Sequence, residues 1–150
     1  MQPMATPDEL RAEIAAARDT LRTALHATSQ ETWEREPAGS TDGEESWSAR
    51  QTAEHVIGAE IYFTNLVCKA CGYPGPDSPF EGGKPSFDTV DAARAAFDQA
   101  IAIADSKIKY VTETDLAIAR DEGTVESLVA FWPQHTREHA AQVNAAGKSP

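Results

Sequence analysis

Three of the four histidines in the sequence are spaced so that they could bind one metal ion. His135 and His139 are four residues apart, which places both imidazoles on one helix face, one turn from each other. The same face carries Leu128 and Trp132 before them and Gln142 after them, so both rings are predicted to point inward. Titratable groups avoid such positions unless something partners them. The pair alone is weak evidence for metal, because histidines recur at this spacing by chance.

His55 is the third candidate ligand. It precedes Ala59 by one helical turn and Tyr62 by two, on a face predicted to point into a bundle of helices. Three imidazoles from two helices would leave at least one coordination position for water or substrate, which is typical of catalytic zinc sites rather than closed structural ones. His26, near the end of the first predicted helix, has no histidine neighbour and is expected to be exposed to solvent.

Carboxylates offer the three histidines an alternative to metal. Glu54, Glu60 and Glu138 are close to them in sequence, and hydrogen bonds to these side chains would stabilise core or rim histidines without any ion. The same carboxylates could also accept the second N–H of a metal-bound imidazole and orient it. The sequence assigns no catalytic residue beyond the candidate ligands.

Four amphipathic helices are predicted to position these side chains. Apolar residues recur at spacings of three and four along each of them. Thr6, Pro7 and Glu9 have the types that cap a helix start, and Gly72 has the type that ends one. The predicted helices run from residue 6 to about 28, from Ser46 or Ser48 to about 71, from Asp88 or Thr89 to about 111, and from 123 to 147.

Two loops are predicted between the first three helices, at residues 37–45 and at residues 72–86. The second holds four glycines and four prolines and is longer than most helix connections. About fifteen residues can span up to roughly 50 Å, enough to carry the chain back along the bundle. Helices two and four would then be antiparallel, with His55 and His139 at the same depth. We therefore predict one all-α domain over residues 1–150, a four-helix bundle with a long crossover loop between helices two and three.

Composition limits the function classes. The formal net charge of -11 argues against nucleic acid or an anionic membrane as partner, since those polyanions are bound mainly by excess Lys and Arg. The N-terminus lacks the pattern of a signal peptide, and no segment approaches the ~20 apolar residues of a membrane span. We expect a cytoplasmic protein that acts on a small-molecule substrate.

Cys68 and Cys71 form a C-x-x-C pair at the end of the second predicted helix. Thioredoxin-type chemistry places such a pair at a helix N-terminus, where the dipole lowers the thiol pKa. Zinc-ribbon binding would need a second pair, which the sequence lacks. The prediction is two reduced, partly buried thiols with no share in the histidine site.

Residues 47–55 and 135–143 resemble the two signature helices of the DinB/YfiT-like superfamily. The resemblance covers nearly the whole chain and implies a DinB-like four-helix bundle with a crossover, often a homodimer. It implies that His55, His135 and His139 bind zinc or nickel, with iron or manganese as other options. Characterised relatives include thiol-dependent transferases and isomerases that use mycothiol, bacillithiol or glutathione. Pro133, two residues before His135, departs from the pattern and predicts either a kink or a late helix start.

Two classes of function follow from these patterns. The first is a divalent-metal-dependent enzyme, a thiol-dependent S-transferase or a hydrolase, in which the ion generates an anionic nucleophile near neutral pH. The alternative is a non-catalytic protein, either one whose metal braces a dimer or senses a ligand, or a helical interaction module without metal. An open coordination position beside a pocket would favour the enzyme, and a closed shell would favour the brace.

Overall fold

The computed structural model describes residues 5–37, 43 and 46–147. Most of the predicted loop at 37–45 therefore lies outside the described residues. The elements in chain order are α1 (Pro7–Ala27), α2 (Ala49–Cys71), α3 (Val90–Ile108), the single turn α4 (Glu113–Leu116), β1 (Ala119–Arg120), β2 (Gly123–Thr124) and α5 (Val125–Gly147). The all-α architecture predicted from the sequence is confirmed.

The helix ends follow from local side-chain chemistry. The hydroxyl of Thr6 accepts from the backbone N–H of Glu9, whose carboxylate accepts from the backbone N–H of Thr6. Ser48 rather than Ser46 forms the matching box with Gln51 at the start of α2. Gly72 ends α2 with a φ of 75°, a left-handed conformation that glycine adopts without strain.

The crossover between α2 and α3 is confirmed by contacts at both ends of the two helices. Arg50 at the start of α2 pairs with Asp88 just before α3, and the Tyr73 hydroxyl just after α2 donates to the carbonyl of Tyr110 just after α3. The two helices therefore run parallel, and residues 72–89 return the chain along the bundle. A simple up-down-up-down order would make them antiparallel.

Helix α5 runs antiparallel to α2. Phe63, late in α2, contacts Trp132, whereas His55, early in α2, contacts His139. Helix α1 runs antiparallel to α3, because Arg11 donates to the carbonyl of Ile108 at the end of α3. The predicted antiparallel arrangement of the histidine-bearing helices is thus correct, and it brings the three imidazoles to one depth.

A buried polar network joins all four long helices. Arg18 of α1 donates from Nε to Glu60 Oε1 of α2 at 2.9 Å and from Nη1 to Asp105 Oδ1 of α3 at 2.7 Å. The indole N–H of Trp132 on α5 donates to the other oxygen of Glu60 at 2.9 Å. Along α1 and α2 this network separates two apolar clusters. One cluster is built around Leu21, Leu25, Trp33, Val56 and Phe97, and the other around Ile14, Phe63, Val67, Leu116 and Trp132.

The segment between α3 and α5 holds short elements that the sequence did not predict. Helix α3 ends at Ile108, earlier than the predicted residue 111, and α4 follows with Thr112 as its cap. Strands β1 and β2 then form a two-stranded antiparallel hairpin, in which Gly123 has a φ of 88°. Strands of two residues are too short to show an alternating apolar pattern, so sequence periodicity could not reveal them.

Pro133 lies inside α5, eight residues after its start at Val125. The late helix start considered for this proline is therefore wrong. Proline has no N–H to donate to the carbonyl of Val129, so α5 lacks one backbone hydrogen bond in the turn before His135. None of the helices in the described ranges is long and apolar enough to span a membrane.

Candidate metal centre

His55, His135 and His139 converge at one point between α2 and α5. His55 is in the second turn of α2, and the other two lie in the middle of α5. The Nε2 atom of His135 is 3.3 Å from Nε2 of His55 and 3.1 Å from Nε2 of His139. The three side chains are the group of potential ligands that the described residues bring together, with one nitrogen from each within 4.8 Å of the others.

The spacing of these nitrogens fits a single divalent ion. Two imidazole nitrogens at about 2.0–2.1 Å from zinc lie roughly 2.9–3.4 Å apart for bond angles between about 90° and 109°. The separations of 3.3 Å and 3.1 Å both fall in that range. The three Nε2 atoms of neutral imidazoles cannot all form hydrogen bonds with one another, because each Nε2 is either a donor or an acceptor. A single metal ion can accept the lone pairs of all three nitrogens.

Gln142 fixes the orientation of His139. Its Oε1 lies 2.6 Å from His139 Nδ1, and because an amide oxygen only accepts, the imidazole must donate from Nδ1. The lone pair of His139 is therefore on Nε2, which points at the other two histidines. His139 is only 3% exposed, and the indole ring of Trp47 stacks on it at a centroid distance of 6.4 Å. Both contacts hold this ring in a ligating position before any ion binds.

His135 is oriented by aromatic packing. Its ring meets Phe63 edge-on at a centroid distance of 5.2 Å and contacts Phe131 at 5.6 Å. Its Nδ1 is buried and has no hydrogen-bond partner among the described residues. Burial, together with the nearby charges of His139 and His55 when protonated, lowers the pKa of His135 to about 4. The ring is therefore neutral at pH 7, as a metal ligand must be.

His55 closes the site from the outer side. Its ring lies 4.7 Å from that of His139 and 5.2 Å from that of Trp47, centroid to centroid. The sequence predicted that it faces the bundle, but its side chain is exposed. The candidate site therefore extends from the buried His139 on α5 to the protein surface, where His55 is exposed to solvent.

A cavity of about 820 Å³ opens beside His55 and His135. Residues of α2, of α5 and of the crossover loop line it. Most of the lining is apolar. Its side chains include Ala59, Ile61, Tyr62, Phe63, Phe80, Pro85 and Phe131, with Glu54, Asn65 and Ser78 as polar members.

Comparison with known proteins gives the family of the chain. The family model of the DinB superfamily matches residues 13–143, a span that includes all three histidines. The chain belongs to the DinB superfamily. No curated protein and no solved structure matches it.

The three carboxylates considered as partners of the DinB histidines are engaged elsewhere. Glu60 accepts from Arg18 and Trp132. Glu54 accepts from Arg50 and from the backbone N–H of Phe87, so it links α2 to the crossover loop.

Glu138, the third of them, accepts from Gln134 one turn earlier on α5. The acceptor that orients His139 is the amide of Gln142. Sequence reasoning placed Gln142 on the histidine face but did not identify its role. Its position three residues after His139 on the same helix was the available signal.

The two arginines beside the signature histidines are engaged in ion pairs. Arg50 contacts the carboxylates of Glu34, Glu54 and Asp88, and Arg137 contacts Glu13 on α1. Their contacts support a structural role in this DinB chain.

Cys68, Cys71 and His26 lie apart from the DinB site. Cys68 is buried and Cys71 half-buried, both as thiols, and burial raises both pKa values, that of Cys71 to about 11. Thiols with raised pKa values are poor nucleophiles, as expected for the end of a helix. His26 is exposed, as predicted.

Proposed function

We propose that this DinB protein is a divalent-metal-dependent enzyme whose ion is bound by His55, His135 and His139. The observation that carries the proposal is the convergence of three Nε2 atoms at the edge of a cavity. An ion held there would act as a Lewis acid and supply an anionic nucleophile near neutral pH, for thiol transfer or for hydrolysis.

The residues of the chain would contribute orientation and water exclusion. Gln142 keeps the lone pair of His139 on Nε2, and Phe63 and Phe131 hold the ring of His135. The low pKa of His135 keeps that ring available when the pH falls below neutrality. Trp47 covers the side of the site away from the cavity through its contacts with His55 and His139.

The position of the cavity favours an enzyme over a protein in which the metal only braces a dimer. Three protein ligands leave at least one position of a tetrahedral ion for another molecule. His55 and His135 both line the cavity, so a molecule in the cavity can reach the point on which the histidines converge. A metal that only braces helices would be enclosed by protein ligands on every side.

The ligand set favours zinc or nickel in this proposal. Imidazole nitrogen suits zinc, copper, iron and nickel, whereas manganese prefers oxygen ligands. The three candidate donors are all nitrogen, and the neighbouring carboxylates Glu54 and Glu60 are held by other partners. Iron remains compatible with the same donors. A cytoplasmic location, expected from the sequence, and a homodimer, implied by the family resemblance, belong to the same proposal.

A reloading experiment tests the enzymatic part of the proposal. Metal-free protein would be divided and reloaded with zinc, nickel, iron or manganese. Each sample would be assayed for conjugation of a small thiol to a bimane electrophile and for hydrolysis of a nitrophenyl ester. Turnover that requires metal and is lost in His55→Gln would support the enzyme. Metal binding without metal-dependent turnover in either assay would favour the non-catalytic alternative.

A further inference from the structure

We propose that the cavity beside His55 and His135 binds an uncharged, largely apolar small molecule with one metal-binding group, such as a thiol, at its histidine end. This inference rests on the proposed function, since it names the substrate class of the same site. A volume of about 820 Å³ lies within the range of small-molecule pockets, which is about 300–1,000 Å³.

The charges of the side chains that line the cavity disfavour anionic ligands. Among the described residues that line it there is no Lys or Arg, and Glu54 supplies the one carboxylate. The nearest arginine on α2, Arg50, pairs with Glu54, Glu34 and Asp88. The formal net charge of -11 would also repel an anion from the protein as a whole.

This charge pattern predicts which of the candidate thiols the cavity would bind poorly. Glutathione and bacillithiol carry carboxylates, which proteins bind mostly with Arg, Lys or clustered backbone N–H groups. The described lining supplies no such cation, so these two thiols would lose the solvation of their carboxylates without a compensating ion pair. An apolar molecule would instead gain by burying its surface against Phe63, Phe80 and Phe131.

The crossover loop gives the cavity a defined outer wall. A Cβ atom at Gly58 would come within 2.9 Å of Pro85 Cγ, so the loop packs directly on the bare backbone of α2. The side chain of Phe80 packs edge-on against Phe87, which is buried, and Glu54 accepts from the backbone N–H of Phe87. These contacts fix the segment between α2 and α3 over α2.

Two large apolar side chains at the cavity are exposed. Tyr62 is 60% exposed and Phe131 is 44% exposed, and both line the cavity. A bound apolar molecule would cover part of each. A second copy of the chain on the same surface is the competing occupant, and it would block the cavity.

Fluorescence titration with two related probes tests the inference. N-phenyl-1-naphthylamine is uncharged and apolar, and 8-anilino-1-naphthalenesulfonate has a similar ring system with a negative charge. We expect zinc-loaded protein to bind the neutral probe at one site, at least tenfold more tightly than the sulfonate. Benzyl mercaptan should displace the neutral probe at concentrations at least tenfold below those that glutathione requires.

Matched variants locate the probe. Phe131→Ser and Tyr62→Ser should each weaken binding of the neutral probe about tenfold, because each removes an aromatic wall. Tyr110→Ser is the control, since Tyr110 is 61% exposed and does not line the cavity. It should change the affinity less than twofold.

The outcomes distinguish a failed substrate class from a failed metal site. Binding of the neutral probe by both metal-free and zinc-loaded protein would support the cavity proposal even if no metal-dependent turnover is found. Equal or tighter binding of the sulfonate, or an unchanged affinity in Phe131→Ser, would overturn it. Failure of the probe to bind a wild-type dimer, together with dissociation of the dimer in Tyr62→Ser, would overturn it in favour of the second copy.

Discussion

Replacing Glu60 with Gln tests the network that joins the four helices. Glu60 is 1% exposed and Arg18 is 4% exposed, so neither side chain can recover its interactions from water. The glutamine retains one oxygen that can accept from Arg18. Its NH₂ group replaces the oxygen that accepts from Trp132, and two donors would then face each other at 2.9 Å.

The structure sets the expected size of the effect. Removing one partner of a buried ion pair costs about 3–5 kcal/mol, because the other charge stays buried without compensation. Asp105 remains 2.7 Å from Arg18 after the change, but it is 54% exposed and screened by solvent. We therefore expect the lower end of the range, a loss of about 3 kcal/mol in the free energy of unfolding.

Urea unfolding followed by circular dichroism measures this loss. For an m-value of about 1–3 kcal/mol/M, a loss of about 3 kcal/mol lowers the midpoint by roughly 1–3 M. Asp19→Asn is the matched control, because it removes a carboxylate from an ion pair with Arg22 that is exposed on both sides. It should cost less than about 1 kcal/mol.

A double variant separates the buried charge from lost packing. Arg18→Met combined with Glu60→Leu removes both charges and retains similar volume, so it should be more stable than Glu60→Gln. The indole N–H of Trp132 would remain without its acceptor at a cost of about 1–3 kcal/mol. Stability of Glu60→Gln within 1 kcal/mol of wild type, or a double variant less stable than the single one, would refute the reasoning.

Three further predictions concern the histidines and the thiols. Gln142→Leu should weaken zinc affinity about 10–100-fold in a competitive chelator titration, because His139 Nδ1 loses its hydrogen-bond acceptor. Gln142→Glu should keep the affinity close to that of wild type, since a carboxylate also accepts from Nδ1. Equal zinc affinity of the Gln142→Leu and Gln142→Glu variants would contradict this role. In metal-free protein the pKa of His135 is about 4 against about 6.5 when unfolded, so the unfolded state binds the proton first and stability should fall as pH drops from about 6.5 to 4. Urea midpoints across this range should fall less in His135→Leu than in wild type, and parallel curves would contradict the shift. Cys68 and Cys71 should react with a disulfide reagent at pH 7 far more slowly than an unfolded control, and equal rates would contradict the raised pKa values.

The helices and the direction of the chain were predictable because their signals are local. Thr6 with Glu9 and Ser48 with Gln51 are close in sequence, so their capping boxes can be recognised without a structure. The crossover followed from loop length and from the requirement that His55 meet α5. The hairpin at 119–124 was missed, because two-residue strands carry no periodicity.

The partners within the site were less predictable than its members. His135 and His139 share a helix, so their proximity follows from helix geometry. Which side chain accepts the hydrogen bond from His139 depends on which other polar side chains of the bundle already have hydrogen-bond partners. Glu60 was a plausible partner until the structure placed Arg18 and Trp132 on its two oxygens. The cavity could not be predicted from the sequence either, since it depends on the packing of the crossover loop against Gly58.

The metal content of the purified protein tests the central claim most directly. Untagged wild type would be purified without chelator and measured by plasma mass spectrometry beside His139→Ala and His26→Ala. His26 is the matched control, because it is the histidine outside the site. We expect about one equivalent of a divalent metal in wild type and in His26→Ala, and its loss in His139→Ala. Protein that contains no metal even after reconstitution, or a His139→Ala variant that retains a full equivalent, would contradict the three-histidine site.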